Sequence, residues 1–294
     1  MEPPVRQIAS PPPLLRTLLV LGRVSNLPTV WSNCLAGWLL AGGGEWSRFV
    51  LLVGGASLLY LGGMFLNDAC DVRFDTAHRQ ERPIPSGAIS ACAVWLGCAA
   101  LLLGGGALLA LLGLTTALVT LGLGLCIVAY DLVHKRTALA PLLMAGCRFL
   151  LYLVAGAAAL GGINAKLLWC AGALAAYIVG LSFIARKEAQ NVKPNKWACF
   201  ALLGPVALAL VSVNSTNVFI LNAILLGFLI WVSLSVSHMI KRGPPAIGRT
   251  VSALLAGIIL VDMLAVQGGG GMMPLAFLAL FASALILQRT IPAT

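Results

Sequence analysis

Ten apolar runs of about the length that crosses a bilayer, some 20 residues, follow one another along this chain, most parted by short polar gaps, the third and fourth by little more than Gly113, and the seventh and tenth short. The runs cover roughly 25–42, 49–67, 90–111, 114–132, 139–161, 166–185, 197–213, 217–239, 247–266 and 272–288. A backbone in lipid must satisfy its own hydrogen bonds, so runs of this kind can only be helices. The expected fold is therefore an all-α, polytopic transmembrane bundle of 9–10 helices. Composition agrees: only 10% of the 294 residues are charged, against about 25% in soluble domains.

The gaps alternate in charge. With both termini placed in the cytoplasm, sixteen of the 19 Lys and Arg residues fall on the cytoplasmic side. Arg48 and Lys166 fall opposite, and Arg148 lies inside a helix. That bias is the positive-inside pattern, so the chain is expected to be a multi-pass protein, of the inner membrane if bacterial. It also accounts for the net charge of +10 without nucleic-acid binding. The eight cysteines form no C-x-x-C pair and mostly sit in apolar stretches, which suggests neither disulfides nor zinc. The N-terminal run lacks a small-residue cleavage site, so no signal peptide is expected.

The longest polar gaps, 67–89 and 186–196, follow the second and sixth runs, so chemistry is expected at the cytoplasmic face. The spacing suggests one domain over 1–294 built of two pseudo-repeated halves, about 25–161 and 166–288. Three of the nine acids crowd into the first gap, in Asn67-Asp68-Ala69-Cys70-Asp71-Val72-Arg73-Phe74-Asp75. On a helix, residues three or four apart share a face, which puts four oxygen-bearing side chains together. Like charges this close repel unless a cation lies between them, and hard oxygen donors suit Mg²⁺. Acids at a helix C-terminus also oppose its dipole, so a stabilising role is not their purpose. Asp68, Asp71 and Asp75 are the catalytic candidates, and with Asn67 the metal candidates. Arg79 and Arg82, beside Pro83, Pro85 and Gly87, could contact diphosphate oxygens.

Asn67-Asp68-x-x-Asp71-x-x-x-Asp75 followed by Arg82-Pro83-Ile84-Pro85-Ser86-Gly87 resembles the first signature of the UbiA prenyltransferase family. Arg23-Val24-Ser25-Asn26-Leu27-Pro28-Thr29-Val30-Trp31 is similar to the opening of that family's first helix, and Tyr130 to Thr137 to its loop after the fourth. The resemblance implies a helical bundle around a central cavity open to lipid and to the cytoplasmic side. It implies Mg²⁺-dependent ionisation of a prenyl diphosphate and transfer of the isoprenyl group to a lipophilic, for example aromatic, acceptor. It makes Asn26, Asn67, Arg79, Arg82, Tyr130, Lys135 and Arg136 substrate-binding candidates.

The family's second acidic motif is reduced here to Ala185-Arg186-Lys187-Glu188-Ala189-Gln190-Asn191, similar to the EboC-like branch. Three readings follow. Glu188 could hold a second ion with Gln190 or Asn191. Arg186 and Lys187 could touch the phosphate directly. Or the diphosphate chemistry could be lost, leaving a non-catalytic protein that binds or translocates an isoprenoid or secondary metabolite. An ion-coupled transporter calls for several intramembrane ionisable groups, and only Arg148 and Asp262 qualify. A charge at the depth of Arg148 is costly unless paired or wet, which makes it a candidate for binding substrate or pairing with Asp262. Tyr130 and Tyr152 could line the cavity and face a carbocation. His78 and His238 receive no role.

Overall fold

In the computed structural model the described residues are 13–190, 196–211, 218–242, 246–266 and 272–293, the side chains at 187–190, 196 and 209–211 excepted. Every described segment with regular structure is helical: α1 (Leu14–Leu21), α2 (Leu27–Leu40), α3 (Trp46–His78), α4 (Ala91–Ala110), α5 (Leu114–Val133) and α6 (Ala140–Ala158), then α7 (Ala165–Gln190), α8 (Lys196–Ala201), α9 (Val206–Val211), α10 (Val218–Arg242), α11 (Ile247–Ala265) and α12 (Met273–Leu287). Seven of them, α3 to α7, α10 and α11, are long and apolar enough to cross a membrane. Three expected spans are shorter. α2 has 14 residues, about 21 Å of helix. α12 has 15. The run at 197–213 is split into α8 and α9, because Pro205 lacks the N–H and crowds the carbonyl that an unbroken helix would use.

Local signals set the ends. Pro28, Pro141 and Pro274 stand in first turns, where a missing N–H costs nothing. The Ser90 hydroxyl accepts the Ala93 N–H at the start of α4. The Asn164 side chain accepts the Leu167 N–H at the start of α7. α3 has 33 residues, about 50 Å of helix against a hydrocarbon core of about 30 Å. It runs on through the acidic stretch rather than ending near residue 67, and no glycine or proline stands between Asn67 and Arg79 to interrupt it. Gly55 and Gly105 let α3 and α4 meet backbone to backbone: a Cβ on Gly105 would lie 2.8 Å from the Gly55 carbonyl.

Packing orders the bundle. The largest buried cluster joins α2, α6, α7, α10, α11 and α12, with Tyr152, Tyr177 and Phe228 at its centre. A second joins α2 to α3, α4, α5 and α6 around Trp38, Leu52 and Leu109. Outward positions carry exposed Leu103, Leu118, Leu125 and Phe219, a surface suited to lipid rather than water. Alternate ends of α3 to α7 gather at opposite poles. At one, Arg48 donates to the carbonyls of Leu112 and Ala158. At the other, Arg186 Nη1 donates to the Thr137 carbonyl at 2.6 Å. This second pole, the polar end below, also holds the C-terminus of α3.

Candidate active site at the polar end of the bundle

The last turns of α3 meet the turn before α2, the α3–α4 loop and the C-terminus of α5. Asp68 accepts from Arg82 Nη1 at 3.0 Å and from Arg23 Nη2 at 3.3 Å. Arg23 Nη2 also donates to Asn67 Oδ1 at 3.2 Å. Asn67 passes the link on, donating from Nδ2 to Asp131 Oδ1 at 3.0 Å. One turn further along, Asp71 pairs with Lys135 Nζ at 2.7 Å and His134 Nε2 at 3.3 Å. Lys135 lies 3.9 Å above the Phe74 ring, and His134 stacks on Tyr130. Asp68, Asp75, Asn67 and Asp131 are all buried, and of these Asp68 is held by ion pairs and Asp131 by the Asn67 amide.

Two local features make this geometry possible. Arg23 is the one non-glycine among the described residues with positive φ, at φ 43°. The left-handed turn swings its guanidinium onto α3, a strained conformation of the sort that persists where surrounding contacts over-determine it. The last turn of α5, its C-cap and the residue after it then place Asp131, His134 and Lys135 on one side. Burial works against a charged His134 ring, but the hydrogen bond and charge of Asp71 prevail and raise its pKa above the ordinary histidine value.

Beneath the cluster lies a partly open apolar cavity, bounded among others by Val30, Ala56, Leu59, Leu123 and Leu151. Tyr130 and Asp131 line its polar end and Arg148 lines it within the bundle.

The structure therefore brings together Asn67, Asp68, Asp71, Arg82 and Lys135, with Tyr130 and Arg148 on the adjoining cavity wall. Arg186 joins them through the loop at Thr137. Asp75 is buried beside the group but makes no side-chain hydrogen bond or ion pair among the described residues, and neither do Arg79 and Arg136. Two further candidates, Asn26 for substrate binding and Tyr152 for the cavity wall, are engaged with other partners. Asn26 Nδ2 donates to the Ala293 carbonyl at 2.9 Å, tying α2 to the C-terminal segment. Tyr152 is fully enclosed and donates to Asp262. Arg148 and Asp262 do not pair directly: Asn33 stands between them, accepting from Arg148 at 2.7 Å and donating to Asp262 at 2.7 Å. The side chains of Lys187, Glu188 and Gln190, and the whole of Asn191, lie outside the described residues.

Of the expected metal set, Asp68, Asp71 and Asp75 do not converge on one point with Asn67, and the Glu188 side chain lies outside the described residues. Among the described residues no three His, Cys, Asp or Glu side chains stand close enough to hold an ion by themselves. Asp68 and Asp71 turn instead to separate cations, the first to Arg23 and Arg82 and the second to His134 and Lys135. The donors nonetheless fit Mg²⁺ in kind. That ion takes one or two carboxylates and completes its shell from substrate phosphates and water, and hard carboxylate and amide oxygens are what α3 offers.

Three participants escaped the sequence reading as site residues: Arg23, Asp131 and His134. The scarcity of acids was the available signal for Asp131, one of nine in the chain and a turn before Lys135.

The model of the UbiA prenyltransferase family matches residues 27–240. The chain belongs to the UbiA prenyltransferase family. A digeranylgeranylglyceryl phosphate synthase of Methanoculleus marisnigri is 36% identical over 96 residues, 33% of either chain. That match spans about a third of the relative's length. Among solved structures, a UbiA homologue from Archaeoglobus fulgidus bound to DMAPP and Mg²⁺ superposes with a TM-score of 0.61 at 15% identity, over 85% of this chain and 99% of that one. A structure of digeranylgeranylglyceryl phosphate synthase gives 0.59 at 18% identity, over 87% and 98%. At such identities the likeness is one of fold. This UbiA-family chain is thus an integral, multi-pass membrane protein.

Proposed function

We propose that the chain is a membrane prenyltransferase that uses Mg²⁺ to ionise a prenyl diphosphate and passes the isoprenyl group to a lipophilic acceptor. The observation that carries this reading is the position of the interlaced carboxylates and cations at the mouth of an apolar cavity, with Asp131 belonging to both. The Archaeoglobus homologue, which binds DMAPP and Mg²⁺, supports it. On this reading the polar end faces the cytoplasm.

Asp68, Asp71 and Asp75, with Asn67, would hold the metal, which when bound lends positive charge to the diphosphate oxygens. Arg23, Arg82 and Lys135 turn from their carboxylates to the diphosphate and take up the charge that grows as the C–O bond breaks. The allylic cation left behind lies in the apolar cavity, where excluded water cannot capture it. The Tyr130 ring lends its face to the cation. The acceptor's nucleophilic atom then forms the new bond to carbon and releases a proton.

The test is incubation of purified protein with labelled geranylgeranyl diphosphate and Mg²⁺. Release of diphosphate that disappears in Asp71→Ala supports the enzyme. A second reading, a non-catalytic isoprenoid carrier, is favoured by the neutralisation of Asp68 and Asp71 by fixed cations and by the single acid in the second motif. Retention of intact labelled diphosphate without release would decide for it.

A further inference from the structure

The cavity holds a second polar group away from the carboxylate cluster. Arg148 lies at mid-length of α6, which starts at Ala140, so it sits about 12 Å along the helix from that end. Its Nη1 donates to the Thr29 carbonyl at 3.3 Å and to Asn33 Oδ1 at 2.7 Å. Its Nη2 donates to Thr29 Oγ1 at 3.0 Å. A guanidinium has five N–H groups. The remaining two, on Nε and Nη2, have no partner among the described residues, and Nε, which makes no hydrogen bond at all, is not among the walled-in polar atoms that lack one. These two N–H groups form a single edge, the one that grips a carboxylate or phosphate with two parallel hydrogen bonds.

The charge is oriented but not neutralised. Every atom that Arg148 touches is neutral, and the nearest acid, Asp262, is reached only through Asn33 and is itself occupied by Ser32, Asn33 and Tyr152. A neutral amide could tie α6 to α2 with two donated bonds and avoid the cost of a cation at this depth. The wall around it is apolar, with Val30, Leu123 and Leu151, so a ligand seated there needs an apolar body and one acidic group. The diphosphate has cations of its own at the polar end, in Arg23, Arg82 and Lys135.

We infer that Arg148, held by Thr29 and Asn33, seats the anionic group, a carboxylate or a phosphate, of the lipophilic acceptor. Assigning the ligand as acceptor rests on the prenyltransferase reading, whereas the anion seat can be measured without turnover. The full chain in a neutral detergent is unfolded thermally with laurate, dodecyl phosphate or uncharged dodecanol. At saturation the acids are expected to raise the midpoint about 3 °C further than dodecanol does, and the stronger of the two names the group. Arg148→Gln removes that difference and Lys135→Gln preserves it. Equal shifts from acid and alcohol overturn the inference, as does a difference that survives Arg148→Gln or vanishes in Lys135→Gln. Should Arg148→Gln not fold, a laurate analogue with a photoreactive group beside its carboxylate is used on the wild-type protein. Labelling around residues 29–33 and 147–151 supports the seat, and labelling confined to 68–82 and 131–136 overturns it. Absent turnover of labelled geranylgeranyl diphosphate with the acid effect intact would sink the transferase reading alone.

Discussion

Arg23 joins a strained backbone to a polar network. Its left-handed turn costs roughly 1–2 kcal/mol for a non-glycine residue, and its side chain reaches Asn67 and Asp68 in return. Arg23→Gly separates the two effects. It relieves the turn, so the unfolding midpoint is expected to stay near wild type, while loss of a charged donor lowers diphosphate release by roughly tenfold or more. An unchanged rate would show that Arg23 serves the turn alone. His134 supplies a pH dependence. Its pKa is raised in the folded protein, so the bond to Asp71 is complete below the ordinary histidine value and is lost as pH climbs past the raised one. Thermal stability is expected to fall over that window, and His134→Gln to flatten the profile. An identical slope in the variant would refute the assignment. Neither residue could be read as a partner of α3 from sequence, because the contacts with Asn67, Asp68 and Asp71 join positions 44 to 63 residues apart. The acids on α3 were legible because one helix face displays them in sequence order.

Among the elements, α3 and α4 depend on closeness. Gly105→Ala puts a methyl 2.8 Å from the Gly55 carbonyl and 2.9 Å from the Leu59 nitrogen, backbone atoms that cannot swing aside. It is expected to cost roughly 1–3 kcal/mol, whereas Gly106→Ala, which meets nothing within 4 Å, should leave the midpoint unchanged. Equal behaviour of the two would mean the helices separate freely. The helices themselves were written plainly in the apolar runs, since lipid admits no alternative backbone. Departures came where length or proline intervened. α1 has only eight residues, too few to register as a span, and Pro205 broke what hydropathy alone presents as continuous.

The whole molecule is closed by Asp262. Fully buried on α11, it accepts from Ser32 Oγ at 2.5 Å, from Asn33 and from Tyr152, uniting α2, α6 and α11. Asp262→Ala would strand three buried donors and is expected to destabilise the bundle by roughly 3 kcal/mol or more, read as a lowered unfolding midpoint in detergent. A variant as stable as wild type would show that apolar packing suffices to close it. Sequence placed Asp262 in the ninth run and left its partner open between Arg148 and the cavity. The intervening Asn33 was invisible there, since an amide inside an apolar run carries no charge to mark it.

The same acceptor imposes an order on the protein's birth. Ser32 and Asn33 precede Asp262 by 230 and 229 positions, which at ordinary translation speeds is a delay of about 10–50 s. Throughout that interval a newborn α2, only 14 residues long, carries polar groups whose mate the ribosome has not yet made. Until it arrives, that helix needs temporary shelter at the membrane's watery border or against the insertion machinery.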